Sequence, residues 1–193
     1  MLLPDSADSS HFMRIALISI ALFAGLVAGF ATAGVPSDPA FARVESNAVQ
    51  AVRTLISRCI PGIGSGQQIV TTGLSRIGRP DEGAILGNRD GHVWLDDAKK
   101  ILLIDFRDAP VCRVVVLSVD PAVLADLVIR VFLEADGDFK RERFRVDTNG
   151  GFAAVYSGVA GQTPVLIRIS TTHQADGNVF ASLNVERAPA ASH

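Results

Sequence analysis

The chain of 193 residues is 48% hydrophobic and carries a formal net charge of −2 at pH 7. A charge so close to neutral gives no long-range field for nucleic acid or for an anionic membrane surface, so both are excluded as expected partners. The length fits a single folded domain whose core is large enough to be stable alone.

The N-terminal segment has the features of a secretory signal peptide. Arg14 precedes an apolar run, Ile15–Phe30, and three small residues ending at Ala33 suit a signal peptidase. The run is shorter than the roughly 20 residues that a membrane-spanning helix needs, so we predict cleavage near Ala33 rather than an uncleaved anchor. Residues 1–33 are then the signal peptide, and Met13 is an alternative start. Without cleavage, the chain contacts a membrane only through this segment.

Both cysteines, Cys59 and Cys112, follow the predicted cleavage point. An exported protein folds in an oxidising compartment, here the periplasm or the external medium, where such a pair forms a disulfide. Closing a loop of this length stabilises a fold by about 4 kcal/mol in the chain-entropy model. Two buried free thiols are the alternative. The spacing excludes a Cys-x-x-Cys redox pair, and the lack of neighbouring histidines argues against a zinc site.

The predicted mature domain, residues 34–187, opens with an amphipathic helix. Asp38-Pro39 is a helix start signal, and apolar residues recur over Phe41–Cys59 at spacings of three and four. Pro61-Gly62 is expected to end this helix. The following segment, Gly62–Asp90, is rich in glycine and arginine, which favours a long surface loop with one or two brief strands.

The glycine-rich stretch Gly62–Gln68 admits two interpretations, a flexible loop or a loop that binds a ligand. Phosphate-binding loops follow a strand and open a helix, and a P-loop also needs a lysine. This stretch follows a helix and contains no lysine, so the flexible loop is favoured.

Strand and helix signals alternate over the rest of the domain. Asp120-Pro121 repeats the helix start signal, an apolar face follows from Leu124 to Ala135, and Gly137 is the expected C-cap. Val111–Leu117 is apolar at nearly every position, which predicts a central strand covered on both faces. The predicted strands are 92–96, 101–106, 111–118, 139–146, 152–157, 163–172 and 179–187.

These elements predict an α+β fold in the order α-β-β-β-α-β-β-β-β, with two helices packed on one face of an antiparallel or mixed sheet. The last four strands are joined by short turns and form a meander. Cys112 on the central strand would then meet Cys59 at the end of the first helix. The tail, residues 188–193, is expected to be disordered.

The first candidate site is a histidine flanked by aspartates. Strand alternation places His92 and Trp94 on one face with Asp96 beyond them, and Asp90 lies two residues before the histidine. A carboxylate beside a histidine suits general acid–base catalysis or metal ligation. Solvated aspartates also collect at hairpin ends, which is the alternative interpretation.

Arginines provide a second candidate site. Arg141, Arg143 and Arg145 alternate along one predicted strand, and Arg168 lies on a later one. They could line the solvated face of the sheet as a basic patch for an acidic ligand. An ordinary solvated edge strand, with Lys140 and Glu142 interleaved, is the alternative.

Sequence signatures of catalysis are absent. The chain has no Gly-x-Ser-x-Gly elbow, His-Glu-x-x-His helix or Ser-x-x-Lys pair. The stretch 134–138 resembles a fragment of a calcium loop but lacks its regular oxygen spacing and closing glutamate. We therefore predict no metal and no cofactor.

The plan of the chain resembles that of small exported bacterial proteins with two cysteines. The resemblance rests on the two cysteines and on the stretch Cys59–Gly62, and it implies no activity. We predict an exported, disulfide-stabilised, non-catalytic binding module whose partner is a periplasmic protein or a small ligand. The alternatives are a small periplasmic hydrolase that uses His92 with Asp90 or Asp96, and an enzyme inhibitor with a rigid protruding loop.

Overall fold

A computed structural model describes residues 39–96, 100–134 and 139–189. The predicted signal peptide and its cleavage point lie outside the described residues, as do the expected caps at Asp38 and Gly137. Ala188 and Pro189 have no regular structure, and the rest of the predicted tail is likewise outside the description. Among the described helices, none is long and apolar enough to cross a membrane.

Eight strands form one sheet in which every neighbouring pair is antiparallel. Their spatial order is β1-β2-β3-β4-β8-β7-β6-β5, so the last four strands form the predicted meander and β4 is central, as predicted. The strands are β1 (Ser75–Arg76), β2 (Gly91–Asp96), β3 (Ile101–Phe106), β4 (Val111–Val116), β5 (Phe139–Val146), β6 (Phe152–Ala160), β7 (Thr163–His173) and β8 (Val179–Arg187).

The first helix does not end at Pro61-Gly62, and that prediction is wrong. Its segments are α1 (Pro39–Thr54), a π-helical turn π1 (Leu55–Cys59) and α2 (Ile60–Ser65). In π1 a backbone hydrogen bond spans five residues instead of the four of an α-helix, since the Ile60 N–H donates to the Leu55 carbonyl. Pro61 then occupies the first turn of α2, where a missing N–H costs little and the fixed φ suits a helix. The helix ends at Gly66, whose φ of 68° is left-handed.

The predicted loop Gly62–Asp90 contains β1 and a further helix, α3 (Arg79–Leu86). The predicted element order therefore lacked one strand and one helix. The start of α3 has a recognisable signal, a proline in the first turn followed by Asp81 and Glu82, which favour a helix N-terminus. The helix is too short, and its apolar face too weak, for the spacing of apolar residues to reveal it in the sequence.

The helix at Asp120 forms as predicted. The Asp120 carboxylate accepts hydrogen bonds from the N–H groups of Ala122 at 2.8 Å and Val123 at 3.3 Å. The helix comprises α4 (Pro121–Ile129) and a π-helical turn π2 (Arg130–Glu134).

Hydrophobic residues occupy both faces of the sheet. The main core joins α1, π1, α4 and π2 to one face of the sheet. Val93, Ile104 and Phe106 form a smaller buried cluster, against which the partly buried Leu86 of α3 packs. Within β3, Leu103 belongs to the main core and Ile104 to the smaller cluster, so strand alternation places the two clusters on opposite faces. An arrangement with all helices on one face therefore does not describe this fold.

The predicted disulfide between Cys59 and Cys112 is present. It joins π1 to the central strand β4 across a Cα–Cα distance of 5.4 Å, and both cysteines are fully buried. The staple between helix and sheet is thus confirmed.

Candidate functional site

The carboxylate of Glu82 lies against the backbone of β2. The short strand β1 pairs only with Leu95 and Trp94, so its pairing stops before Val93. The Val93 N–H donates to Glu82 Oε1 at 2.9 Å instead, and the Ile77 N–H donates to the Val93 carbonyl. Glu82 is only 6% exposed, and α3 therefore completes the hydrogen bonding of β2 with a side chain.

His92 adjoins this carboxylate. Its Nδ1 lies 3.4 Å from Glu82 Oε1 and 2.6 Å from Nη2 of Arg76. The same arginine donates from Nε to Glu82 Oε1 and from Nη2 to Glu82 Oε2. Arginine can only donate, so Nδ1 accepts in this contact and a neutral ring carries its proton on Nε2. A histidine base oriented by a carboxylate needs the opposite tautomer, with Nε2 free to take a proton. The geometry favours a structural role for His92.

The pKa values of two carboxylates in this region, Glu82 and Asp105, are shifted in opposite directions. Hydrogen bonds from Arg76, and then from the Val93 N–H, hold the pKa of Glu82 below its ordinary value, although burial acts in the other direction. Asp105 lies directly opposite His92 on β3, and burial raises its pKa above the ordinary value.

The aspartates predicted to act with His92 lie further along the chain. Asp90 is exposed just before β2, and its carbonyl accepts a hydrogen bond from the Arg107 N–H, while Asp96 is the last residue of β2. In the described parts of the chain, His92 contacts Glu82 and Arg76 rather than either aspartate. A catalytic or ligand-binding role for the aspartates stays a prediction. Sequence reasoning missed Glu82 because it lies in the segment interpreted as a loop.

No metal centre is formed by the described side chains, among which no three histidine, cysteine, aspartate or glutamate residues are grouped to hold an ion.

The second candidate site is the face of strands β4 to β8 opposite the main core, here called the open face. Three arginines, Arg113, Arg168 and Arg143, form an arginine row on it. Arg113 pairs with Asn184, Asn184 with Arg168, Arg168 with Val155, and Val155 with Arg143, so the row crosses β4, β8, β7, β6 and β5. Because neighbouring strands lie about 4.8 Å apart, successive arginines of the row are roughly 10 Å apart.

A β-bulge decides which arginines of β5 reach the open face. The register shifts between Arg141, which pairs with Tyr156, and Arg143, which pairs with Val155. Tyr156 is fully buried in the main core, so Arg141 lies on that side of the sheet, with its guanidinium 5.7 Å from the Phe144 ring centre. Without the extra residue, Arg141 and Arg143 would share a face. The predicted arginine patch is therefore split by the bulge.

Two of the guanidinium groups on the open face, those of Arg113 and Arg168, are each held through one nitrogen. Arg113 Nε donates to Asn184 Oδ1 and Arg168 Nε donates to Glu186 Oε1, both at 2.6 Å. The described contacts leave the terminal amino groups of both side chains without a hydrogen-bond acceptor. Arg143 and Arg145 are exposed and have no ion-pair partner among the described residues.

Two guanidinium groups lie close together at the β4 end of the row. Arg113 and Arg89 both lie over the ring of Phe106, at 5.3 Å and 4.1 Å from its centre. Burial, and then the charge of Arg89, lower the pKa of Arg113. Arg89 is itself paired with Asp108, at 2.7 and 2.8 Å. Sequence reasoning missed Arg113 because it interrupts an apolar run that was interpreted as buried on both faces.

Comparison of the chain with protein-family models, with curated proteins and with solved structures finds no match.

Proposed function

We propose that the protein is an exported, disulfide-stabilised, non-catalytic module that binds an anionic ligand on the open face of its sheet. The observation that carries the proposal is the set of four arginines on that face, Arg113, Arg143, Arg145 and Arg168. With Lys140 included, the face carries, among the described residues, five basic side chains against two carboxylates, Glu186 and Glu142. It is therefore positive, although the net charge of the whole chain is −2. Such local charge attracts an anion even where the net charge does not.

The electrostatic part of the proposal is tested on a sulfonate cation-exchange matrix at a pH above neutrality. The wild-type protein is expected to be retained despite its net negative charge, because the open face alone engages the matrix. Arg143→Gln should elute at a lower salt concentration. Arg141→Gln is the matched control, since it makes the same change of charge two residues away on the opposite face.

Equal elution of the two variants would show that retention depends on net charge and not on the open face. Passage of the wild-type protein without retention would contradict anion binding altogether.

Export of the protein from the cytoplasm is a separate part of the proposal. It is supported by the buried disulfide, which is compatible with an oxidising environment. It is tested by the intact mass of the protein recovered from its producing cells, before and after reduction and alkylation. The expected mass is that of residues 34–193 less two hydrogens. A full-length species with two alkylatable thiols in the membrane fraction would overturn export of a cleaved protein.

A further inference from the structure

We infer that the ligand of the open face is an extended acidic polysaccharide, bound across the strands along the arginine row. This inference rests on the proposed function and names its ligand class. It starts from the register of the sheet, which aligns Arg113, Arg168 and Arg143 in one line. Four inter-strand steps give the line a length of about 19 Å. A small anion contacts one guanidinium of such a line, whereas a linear polyanion contacts all three.

Two of the three arginines of the row, Arg113 and Arg168, are oriented before any ligand binds. In both Arg113 and Arg168 the described hydrogen bond uses Nε, and the pair of terminal amino groups stays available. That pair matches the two oxygens of a carboxylate or sulfate group in a bidentate contact. Because Asn184 and Glu186 already restrict the two side chains, less conformational entropy is lost on binding. Glu186 is also an ion-pair partner of Arg168, so a ligand anion at this position shares the guanidinium with that carboxylate.

A lane of small side chains lies beside the arginine row. Two residues further along the strands, Ser182 pairs with Ser170, Ser170 with Ala153, and Ala153 with Arg145. On β8, β7 and β6 these short side chains leave room for a ligand beside the longer arginines. The serine hydroxyls both donate and accept hydrogen bonds, as the hydroxyl groups of a sugar require.

Other anionic polymers fit this surface less well. Single-stranded nucleic acid is held by bases stacked on exposed aromatic rings, but Phe106, at the β4 end of the row, is 6% exposed and covered by Arg89. An acidic peptide that adds a strand to the sheet would lie along the edge strand β5, whereas the row crosses the sheet through β4, β8, β7 and β6, whose backbones are paired on both sides.

The experiment is titration calorimetry of the protein, isolated from its producing cells, with galacturonate oligomers. A decasaccharide is expected to bind about tenfold more tightly than a disaccharide, since it reaches successive arginines of the row. Arg168→Gln should weaken the decasaccharide about three- to tenfold, and Arg168→Lys should recover only part of the loss, because lysine keeps the charge without the bidentate contact. Arg141→Gln, on the other face, should bind as the wild type does.

Each contrary result has a separate meaning. Equal affinity for the disaccharide and the decasaccharide would overturn the extended ligand and leave anion binding in place. Tighter binding of oligothymidylate, or of phosphatidylglycerol vesicles, at the same salt concentration would overturn the polysaccharide class. Retention on the sulfonate matrix without binding of any galacturonate oligomer would also overturn this inference. A protein that is neither retained on the matrix nor binds a galacturonate oligomer would overturn the proposed function.

Discussion

At the scale of the residue, Glu82 shows how one side chain can complete a sheet. β1 is too short to reach Val93, and a backbone N–H left buried without a partner is costly. The carboxylate of Glu82 accepts that N–H, Arg76 pairs with its charge, and Nδ1 of His92 contacts the same guanidinium. His92, which the sequence analysis names as a candidate catalytic residue, belongs to this cluster of side chains.

Replacing Glu82 by alanine is expected to lower the free energy of unfolding by about 1–3 kcal/mol at neutral pH, because the Val93 N–H loses its acceptor. The pKa of Glu82 is lower in the folded protein than its ordinary value of 4.5, so the carboxylate stabilises the fold above that value. The stabilisation is lost as the pH falls through the folded pKa. Urea denaturation of both proteins should therefore show a difference that shrinks in acid.

The matched control for this prediction is Asp81→Ala, an exposed acidic neighbour in the same helical turn. A loss of stability for Glu82→Ala that is equal at acidic and neutral pH would contradict the role of the charge.

At the scale of the element, α2 shows that its glycines serve packing rather than flexibility. The expectation of a flexible loop over Gly62–Gln68 is wrong for its helical part, Gly62–Ser65. A Cβ on Gly64 would lie 2.6 Å from the carbonyl oxygen of Ala160, and Thr163 Oγ1 donates to the Gly64 carbonyl. Only glycine lets α2 approach the β6–β7 hairpin so closely.

Gly64→Ala is expected to lower the free energy of unfolding by about 1–3 kcal/mol, because the added methyl group meets backbone atoms that cannot move freely. Gly83→Ala is the control, since Gly83 lies in α3 with no atom within 4 Å of an added Cβ. That change should be neutral or stabilise by about 0.5–1 kcal/mol, because alanine is the better helix former. Thermal or urea denaturation of the two variants measures both effects, and equal stabilities would contradict the close contact.

At the scale of the whole molecule, the disulfide joins elements that are far apart in the chain. Cys59 and Cys112 are separated by 53 positions and connect the first helix to the central strand of the sheet. The main core on which this helix packs extends from β3 to β6. The staple therefore holds the helix against the centre of the sheet, on the face opposite the arginine row.

Replacing both cysteines by alanine is expected to lower the free energy of unfolding by about 4 kcal/mol, since the unfolded chain regains the entropy of an open loop. Both sulfur-bearing side chains are fully buried, so a reducing agent should act only once the protein unfolds. Urea denaturation with and without reductant measures the difference. Ready reduction of the native protein, or equal stability of the double variant, would contradict a structural disulfide.

The sequence by itself determined the features that depend on neighbouring residues. Alternating apolar residues located β8 to the residue, and the Asp120-Pro121 signal located α4, because strand alternation and helix capping are local properties. The two cysteines likewise implied their pairing, since only one intramolecular disulfide is available to them.

Only the tertiary structure decided which distant residues share a surface. The arginine row exists because four strand pairings have a particular register, and a bulge of one residue assigns Arg141 and Arg143 to opposite faces. The cluster of Glu82 with His92 requires a helix that periodicity does not detect. A one-residue change of register moves every side chain of a strand to the other face, and that register is fixed by packing across the whole sheet rather than by any local stretch of sequence.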